Sequence, residues 1–435
     1  KPLTLSKNDF CFDPHGGYWG PVSGNSQHGL TIDDFGRRIG CSNRNPAIQA
    51  VLSANTIQRD RELAPTDALL DIAVAGEHSE VHPISDAWTT SHLHAGQFSA
   101  ACGVLAVDDE WLFVCEPTGS LVQRQRMRLD GENWHATREE NDAEWLANEH
   151  TWFRPVDLVA DQNGSVLVID MARAVIEHPD WAPEELKNRP DTWHGNDLGR
   201  IWRLVPPQAE PGFNAIQSNE EAIEAFRSDD AVRRSLATLH LTQQLTNPTA
   251  KSLVLESLSE LLFSGDTKPA TKARAASLLA QQNSLNSDQL SKLQSESEPR
   301  LRALAAQHTT TWNTNNFREF ASDESALVRR VALESFLASD KCARIAKLPQ
   351  SDEFLSVVDT LHNVAVEQAD SSLIAKLLAS VPQPMLQLLI RRSIENESQQ
   401  LSAHYRSNRL QWMERSAASD PETTLDLISN VQDNN

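Results

Sequence analysis

The stretch GVLAVDDEWLFVCEP, residues 103–117, holds an alternating apolar run, a polar break at Asp108 and Asp109, and a second apolar run ending on Glu116. Alternation with a period of two puts every second side chain on one face of a strand, and a tight acidic turn between two such runs folds them into an antiparallel hairpin. The design recurs on either side of it. GLTIDDFGRRIGCSN starts at Gly29 and PVDLVADQNGSVLVIDM at Pro155, each with Asp, Asn or Gly at the turn. When Cys41, Cys115 and Ile169 are aligned, the second runs end on Ser42, Glu116 and Asp170. A third strand is predicted in SLVQRQRM (120–127) and in GRIWRLVP (199–206). Starts about fifty to seventy-five residues apart suit β-propeller blades with long inserted loops. Three units make half of a six-bladed ring. Unrelated hairpins in a sandwich are the alternative that pattern alone leaves open.

Composition changes downstream. Fifteen of the 17 glycines, 9 of the 11 tryptophans and 10 of the 14 histidines precede LVPPQAEPGF (204–213), and the remainder reads Leu, Ala, Ser, Glu, Gln and Arg. The first composition favours strands and turns and the second favours helices, so the boundary falls near residues 206–213. In the second part VRRSLATL, KARAASLL, RLRALAAQ and VRRVALES repeat an arginine at Arg234, Arg274, Arg302 and Arg330 within apolar residues at helical spacing. Ser228, Pro269, Pro299 and Ser322 read as helix starts, and LLIRRSIENESQQL as a further unit, whereas the tail SAASDPETTLDLISNVQDNN is expected to fray. Short helices that cannot bury their apolar faces alone must stack, which predicts an α-solenoid of HEAT type, with a compact bundle as the alternative. The recurrent arginines are expected to pair with acids of the next repeat.

The formal net charge of −21 would repel phosphate backbones and anionic lipid surfaces, which argues against nucleic acid as a partner. No run approaches the roughly 18 apolar residues of a membrane helix, so no transmembrane segment is expected in this chain. No signal segment opens the chain, and a start at Lys1 reads as a cut-down or processed product. Five cysteines form no C-x-x-C pair and no C-x-x-C-H haem attachment. Buried free thiols are the expected state of Cys41, Cys102 and Cys115.

GLTIDDFGRRIGCSNRN, WTTSHLHAGQFSAACG, FVCEPTGSLV and WFRPVDLVADQNGSVLVIDMARAVIEHPDWAPEELKNRPD, closed by GRIWRLVP, resemble the membrane-bound dehydrogenase domain of planctomycete-type bacteria across about residues 9–206. That family is similar to the six-bladed propellers of quinone-dependent glucose and sorbosone dehydrogenases, followed by HEAT-type repeats and a cytochrome c domain. The resemblance implies a multidomain β-then-α chain, a partial propeller of about three blades (1–207) followed by a HEAT-type α-solenoid (213–435). It departs from the family in lacking the N-terminal blades and the haem attachment. It further implies oxidation of a sugar or polyol, pyrroloquinoline quinone and calcium as cofactors, a cytochrome c domain or protein as electron acceptor, and a periplasmic or cell-envelope location. A half-propeller with open edges also predicts self-association.

In a propeller the polar strand ends and the loops of one face surround the channel, so side chains from several blades meet there. This points to Ser42, Asn43 and Arg44, to Glu116 and Thr118, and to Asp170 and Arg173, with Arg154 just before the third unit and His92, His94 and Gln97 before the second. Arg44, Asn43, Gln97, Glu116, Thr118 and Arg173 are the candidates for holding cofactor or substrate, and His94, His92, Arg154 and Asp170 for catalysis. His94 is the favoured general base, since Gly96 allows close approach, with His92 supporting the loop. A metal held by the two histidines needs further ligands; Asp108, Asp109 and Glu116 are donors without diagnostic spacing. Structural links between blades are the alternative for the acid and arginine positions, and hydrogen-bonded loop anchors for the histidines. A non-catalytic scaffold binding a glycan or protein is the rival function. It would use Trp19, Trp111, Trp152 and Trp193 as contact surfaces, residues most of which are otherwise expected to be core or blade packing.

Overall fold

The computed structural model describes residues 5, 8–13, 17, 19–59, 63–85, 96–176, 184–209, 214–349, 351–395 and 402–432. A strand-rich first part is followed by a helical second part, and the chain divides into two compact units. The first comprises Lys1–Ala54 and Ala68–Leu285, the second Asn55–Asp67 and Asn286–Asn435.

Four antiparallel sheets, each built in chain order, form the strand part of the first unit. The first pairs β1 (Asp9–Phe12) with β2 (Trp19–Val22). The second runs β3 (Gly29–Ile32), β4 (Arg38–Ser42), β5 (Asn45–Ala50) and β6 (Leu69–Asp71). The third runs β7 (Cys102–Val107), β8 (Trp111–Glu116), β9 (Leu121–Asp130) and β10 (Asn133–Arg138), with β11 (Leu146–Ala147) paired to β9. The fourth runs β12 (Pro155–Ala160), β13 (Val166–Asp170) and β14 (Arg200–Leu204). The three predicted hairpins are β3–β4, β7–β8 and β12–β13, and the predicted third strands are β9 and β14. In the three-residue β7–β8 connection Asp108 and Asp109 both take positive φ, 53° and 60°, a conformation that Asp tolerates, and Glu110 N–H closes the turn on Val107 O at 3.3 Å.

β8 reads as a continuous apolar run because both of its faces are buried. Leu112 and Val114 join Ile39 and Cys41 of β4 in one core, while Phe113 and Cys115 join Leu158, Val166 and Val168 of the fourth sheet in another. β7 lies close against β12: at Gly103, with φ +51°, a Cβ would stand 2.5 Å from Asp157 Cα. Only glycine fits there. The outward faces differ. Leu30 and Ile32 of β3 are 49% and 59% exposed, and Val159 and Ile201 of the fourth sheet are also exposed.

A short helix, α1 (Ala54–Arg59), follows β5, and α2 (Glu184–Lys187) lies between β13 and β14. The first unit is completed by α3 (Asn219–Phe226), α4 (Ala231–Leu245), α5 (Pro248–Phe263) and α6 (Pro269–Gln281). The hairpin turns meet these helices. Asp34, in the β3–β4 turn, accepts from Arg234 Nε (3.1 Å) and Nη2 (2.5 Å) and from Arg274 Nε. Asp108 stands 3.7 Å from Arg234, and in the β12–β13 turn Asn163 N–H donates to Asp230, the N-cap of α4, at 2.6 Å. Arg234 and Arg274 therefore pair with a strand turn and not with the next helical repeat.

In the second unit α7 (Ser287–Gln294), α8 (Pro299–His308), α9 (Thr314–Ala321), α10 (Ala326–Leu337) and α11 (Asp340–Ile345) precede α12 (Asp352–Glu367), α13 (Ser372–Ala379), α14 (Gln383–Glu395), α15 (Ala403–Ser419) and α16 (Pro421–Gln432). Trp312, Phe317, Phe320 and Phe336 form its aromatic core, with Phe317 stacked on Phe336 at 3.9 Å. Here Arg302 does bond forward, to Asp323 and Glu324 before α10. Two helix starts differ from expectation, since Asp230 rather than Ser228 caps α4, and Ser322 closes α9 while α10 starts after Ser325. As far as Gln432 the tail is helical and not frayed: α16 packs on α14 and α15, with Ser416 Oγ 2.8 Å from Thr424 Oγ1 and both residues buried, while residues 433–435 lie outside the described residues.

Candidate functional site

Strand polarity sorts the sites. Each hairpin turn lies at one end of its sheet, so the start of the first strand and the end of the second meet at the other. That opposite end carries Asn43, Arg44, Gln97, Glu116, Thr118, Arg154, Asp170 and Arg173.

One segment, residues 97–101, links the second sheet to the third. Gln97 Oε1 accepts from Arg44 Nη2 at 3.2 Å, and Ala101 N–H donates to Asn43 O at 3.0 Å. Glu116, 1% exposed at the end of β8, accepts the backbone N–H groups of Ser99 and Ala100, both at 3.0 Å on Oε2, and the Ser99 hydroxyl at 3.2 Å on Oε1. The carboxylate thus clamps the chain leading into β7. Burial pushes its carboxyl above the ordinary carboxylate range, against the pull of the Ala100 and Ser99 amides and the Ser99 and Thr118 hydroxyls.

Asp170 does the same at the end of β13. Its Oδ1 accepts from Arg154 N (2.9 Å), just before β12, and from Ala172 N (2.8 Å). Its Oδ2 accepts from Arg200 Nε (2.8 Å) and Trp202 Nε1 (3.0 Å). Burial acts to raise this carboxyl, yet Trp202, the two amides and Arg200 outweigh it and hold it below its ordinary value. Arg154 is buried, and its guanidinium donates to four backbone carbonyls: Pro117 (2.6 Å), Thr118 (3.4 Å), Arg173 (3.2 Å) and Ala174 (3.1 Å). Burial lowers its pKa, while Glu116 and Asp170 act to raise it. Glu116, Arg154 and Asp170 are therefore committed to holding loops.

Ser42, although aligned with Glu116 and Asp170, closes its own turn on Asn45 at 3.2 Å. Asn43 contributes its backbone. Arg44 Nε and Arg173 Nε are buried and find no acceptor among the described residues, while Arg44 Nη2 is held by Gln97. The positive charge of Arg44 and Arg173 has the sign an anionic quinone would need, whereas Arg154 has its donors on backbone carbonyls. His92 and His94 lie outside the described residues. Among those described, no group of three or more His, Cys, Asp or Glu side chains could hold a metal ion. Asp108 and Asp109 share no ion with Glu116, because β8 separates them by about 15–20 Å.

Other side chains escaped the sequence reading. Arg200 and Trp202 reach Asp170 because β14 pairs with β13 with Asp170 opposite Arg200. Of the four tryptophans, most of which were expected as core or blade packing, Trp19 and Trp193 are 60% and 74% exposed, whereas Trp111 packs against the β8–β13 core beneath the guanidinium groups of Arg124 and Arg126. Trp152 stands edge-on to His150 and His194. Cys41, Cys102 and Cys115 are free and buried; burial pushes Cys41 up to about 12 and the other two further up, so none is poised as a nucleophile.

A family model described as a domain of unknown function, DUF7133, matches residues 1–208, ending just past β14 where strands give way to helices. No curated protein matches the chain, and no solved structure does. Among the described residues no helix is long and apolar enough to cross a membrane.

Proposed function

We propose that the strand part is an oxidoreductase module of the quinone-dependent sugar or alcohol dehydrogenase kind, three blades of a propeller carrying a HEAT-type α-solenoid behind it. One observation carries the reading: residues of three successive sheets meet at one strand end in a linked set of hydrogen bonds that includes Arg44, and Arg44 Nε and Arg173 Nε there are buried without an acceptor among the described residues. In this reading His94 takes the proton of a substrate hydroxyl and His92 supports its loop. Arg173 and Arg44 hold negative charge as it develops. A bound pyrroloquinoline quinone would supply the hydride acceptor, with calcium beside it. Glu116, Arg154 and Asp170 keep the loops in register. Transfer of electrons to a cytochrome c partner and a cell-envelope location come from the family resemblance. The exposed apolar faces of β3 and of the fourth sheet favour association with further blades or a second copy.

A dye-linked dehydrogenase assay on the full chain, with the quinone and calcium, across sugars and polyols, tests this. Turnover abolished by His94→Ala supports it, and absence of turnover with every substrate overturns it. A second reading, a scaffold that binds a glycan or protein, is favoured by the commitment of Glu116, Arg154 and Asp170 to backbone groups. It predicts sugar or protein binding unaffected by His94→Ala and no oxidation.

A further inference from the structure

Cys102 and Cys115 stand directly opposite each other across the antiparallel β7–β8 pair. A bulge sets them there. The register runs Val104↔Val114 and then Cys102↔Cys115, which leaves Gly103, at φ +51°, as the extra residue on β7. Val104 faces the core shared with β4, and strict alternation would send the Cys102 side chain to that same face. The bulge turns it over, so Cys102 joins Cys115, Phe113 and Val168 in the core on the other face of the hairpin. Cys41 belongs to the first of these cores, and its Sγ reaches Ala101 O at 3.7 Å.

Residues directly opposite in an antiparallel pair have Cα atoms about 4.5 or 5.5 Å apart, and both separations fall within the range of about 4.4–6.8 Å that a disulfide spans. The same two segments are already fastened once. Glu116, next to Cys115, accepts the N–H groups of Ser99 and Ala100, just before Cys102. A bond between the sulfurs adds a covalent clamp beside the carboxylate one. Cys102 and Cys115 are 7% and 0% exposed, and burial pushes both thiols well above their ordinary range. Thiolate is the attacking species in disulfide exchange, so the reaction is confined to the chain whose sheets have not yet closed.

We infer that Cys102 and Cys115 are a dithiol–disulfide pair, joined across the β7–β8 hairpin as the chain folds in the presence of a small-molecule disulfide such as oxidised glutathione. One cysteine thiolate attacks a sulfur of the oxidant and expels one glutathione thiolate. The second cysteine attacks the mixed disulfide so formed and expels the other. One S–S bond forms in the protein as one breaks in the oxidant, with two protons and two electrons passing from the cysteines to two molecules of glutathione. The pair is independent of the sugar-oxidising reading.

The test refolds the full chain from denaturant in mixed reduced and oxidised glutathione, then blocks the remaining thiols under denaturing conditions. Intact mass and mapping of linked peptides are read for the wild type, Cys102→Ala, Cys115→Ala and Cys41→Ala, with circular dichroism as the check on folding. Wild type and Cys41→Ala should each carry one bond, between residues 102 and 115, and Cys102→Ala and Cys115→Ala none. The oxidised wild type should unfold at a higher denaturant concentration than the reduced, because the bond restricts the unfolded chain. Reduced protein that is already folded should form the bond at least about tenfold more slowly than the refolding chain. The inference is overturned by five blockable thiols after oxidative refolding, by a bond that includes Cys41, by an oxidised form no more stable than the reduced, or by equal rates in folded and refolding protein.

Discussion

The two ends of the sheets use the same amino acids for different ends. At the turn end an acid meets arginine side chains: Asp34 binds Arg234 and Arg274, which lie 200 and 240 positions further along the chain. At the other end acids and an arginine meet chiefly the backbone: Glu116 and Asp170 accept amide N–H groups, Asp170 also taking Arg200 and Trp202 on its second oxygen, and Arg154 donates to carbonyls. Side-chain pairs join elements distant in sequence, here strands to helices α4 and α6. Backbone clamps shape the loops themselves. The clamped end also carries Arg44 Nε and Arg173 Nε, buried without an acceptor among the described residues.

The largest loss of stability is expected at the turn end. Asp34→Ala leaves buried Arg234 with only the looser Asp108 contact at 3.7 Å and should cost up to about 3–5 kcal/mol, read from chemical denaturation. An unchanged midpoint would remove the distinction between the ends. Next is Glu116→Ala, which leaves the Ser99 and Ala100 amides without an acceptor at about 1–3 kcal/mol. Glu116→Gln should stay near wild type, because its amide oxygen accepts both N–H groups and its NH2 donates to the Ser99 hydroxyl. The two clamps also titrate with opposite sign. The raised carboxyl of Glu116 gives stability that is full below its ordinary 4.5 and is lost as pH rises through the folded value, so Glu116→Gln should remove that slope. The lowered carboxyl of Asp170 gives stability present above its ordinary 3.8 and lost as pH falls through the folded value. Asp170→Asn should therefore flatten the acid limb of unfolding, and a limb as steep as wild type would assign the acid sensitivity elsewhere. Smallest is Arg173→Ala, expected to shift stability by less than about 0.5 kcal/mol while lowering dye-linked turnover about a hundredfold.

Local features were legible in the sequence. The hairpins follow from period-two runs around Asp and Gly turns, and the helix starts at Pro269 and Pro299 from a residue whose missing N–H is needed nowhere. Partners were not legible. The arginine repeat marked Arg234 and Arg274, but nothing near them points to Asp34, because pairing across 200 positions is decided by tertiary packing. The tail as far as Gln432 was misread for a related reason: its Ser, Asp and Pro content argues for a loop, whereas burial of Leu427 and of Thr424, which bonds Ser416 of α15, supplies the tertiary contacts that a short helix needs. Gathering the candidate residues at one strand end needed only strand direction, while their hydrogen-bond partners needed the fold. Which of them remain uncommitted is a matter of donor and acceptor count, which no spacing encodes.

The segment Asn55–Asp67, lying between β5 and β6 in sequence, belongs to the helical second unit. Thr56 bonds Glu334 at 2.8 Å, 278 positions later, and Asp67 pairs with Lys376. During synthesis this segment leaves the ribosome long before its partners exist, while the strands on either side of it can already pair. The second unit thus carries an early piece that must wait in an unfinished state, and a gene cut after Leu285 would strand that piece in water. Expression of residues 286–435 alone should give a less stable helical product, which a peptide spanning 55–67 rescues in trans.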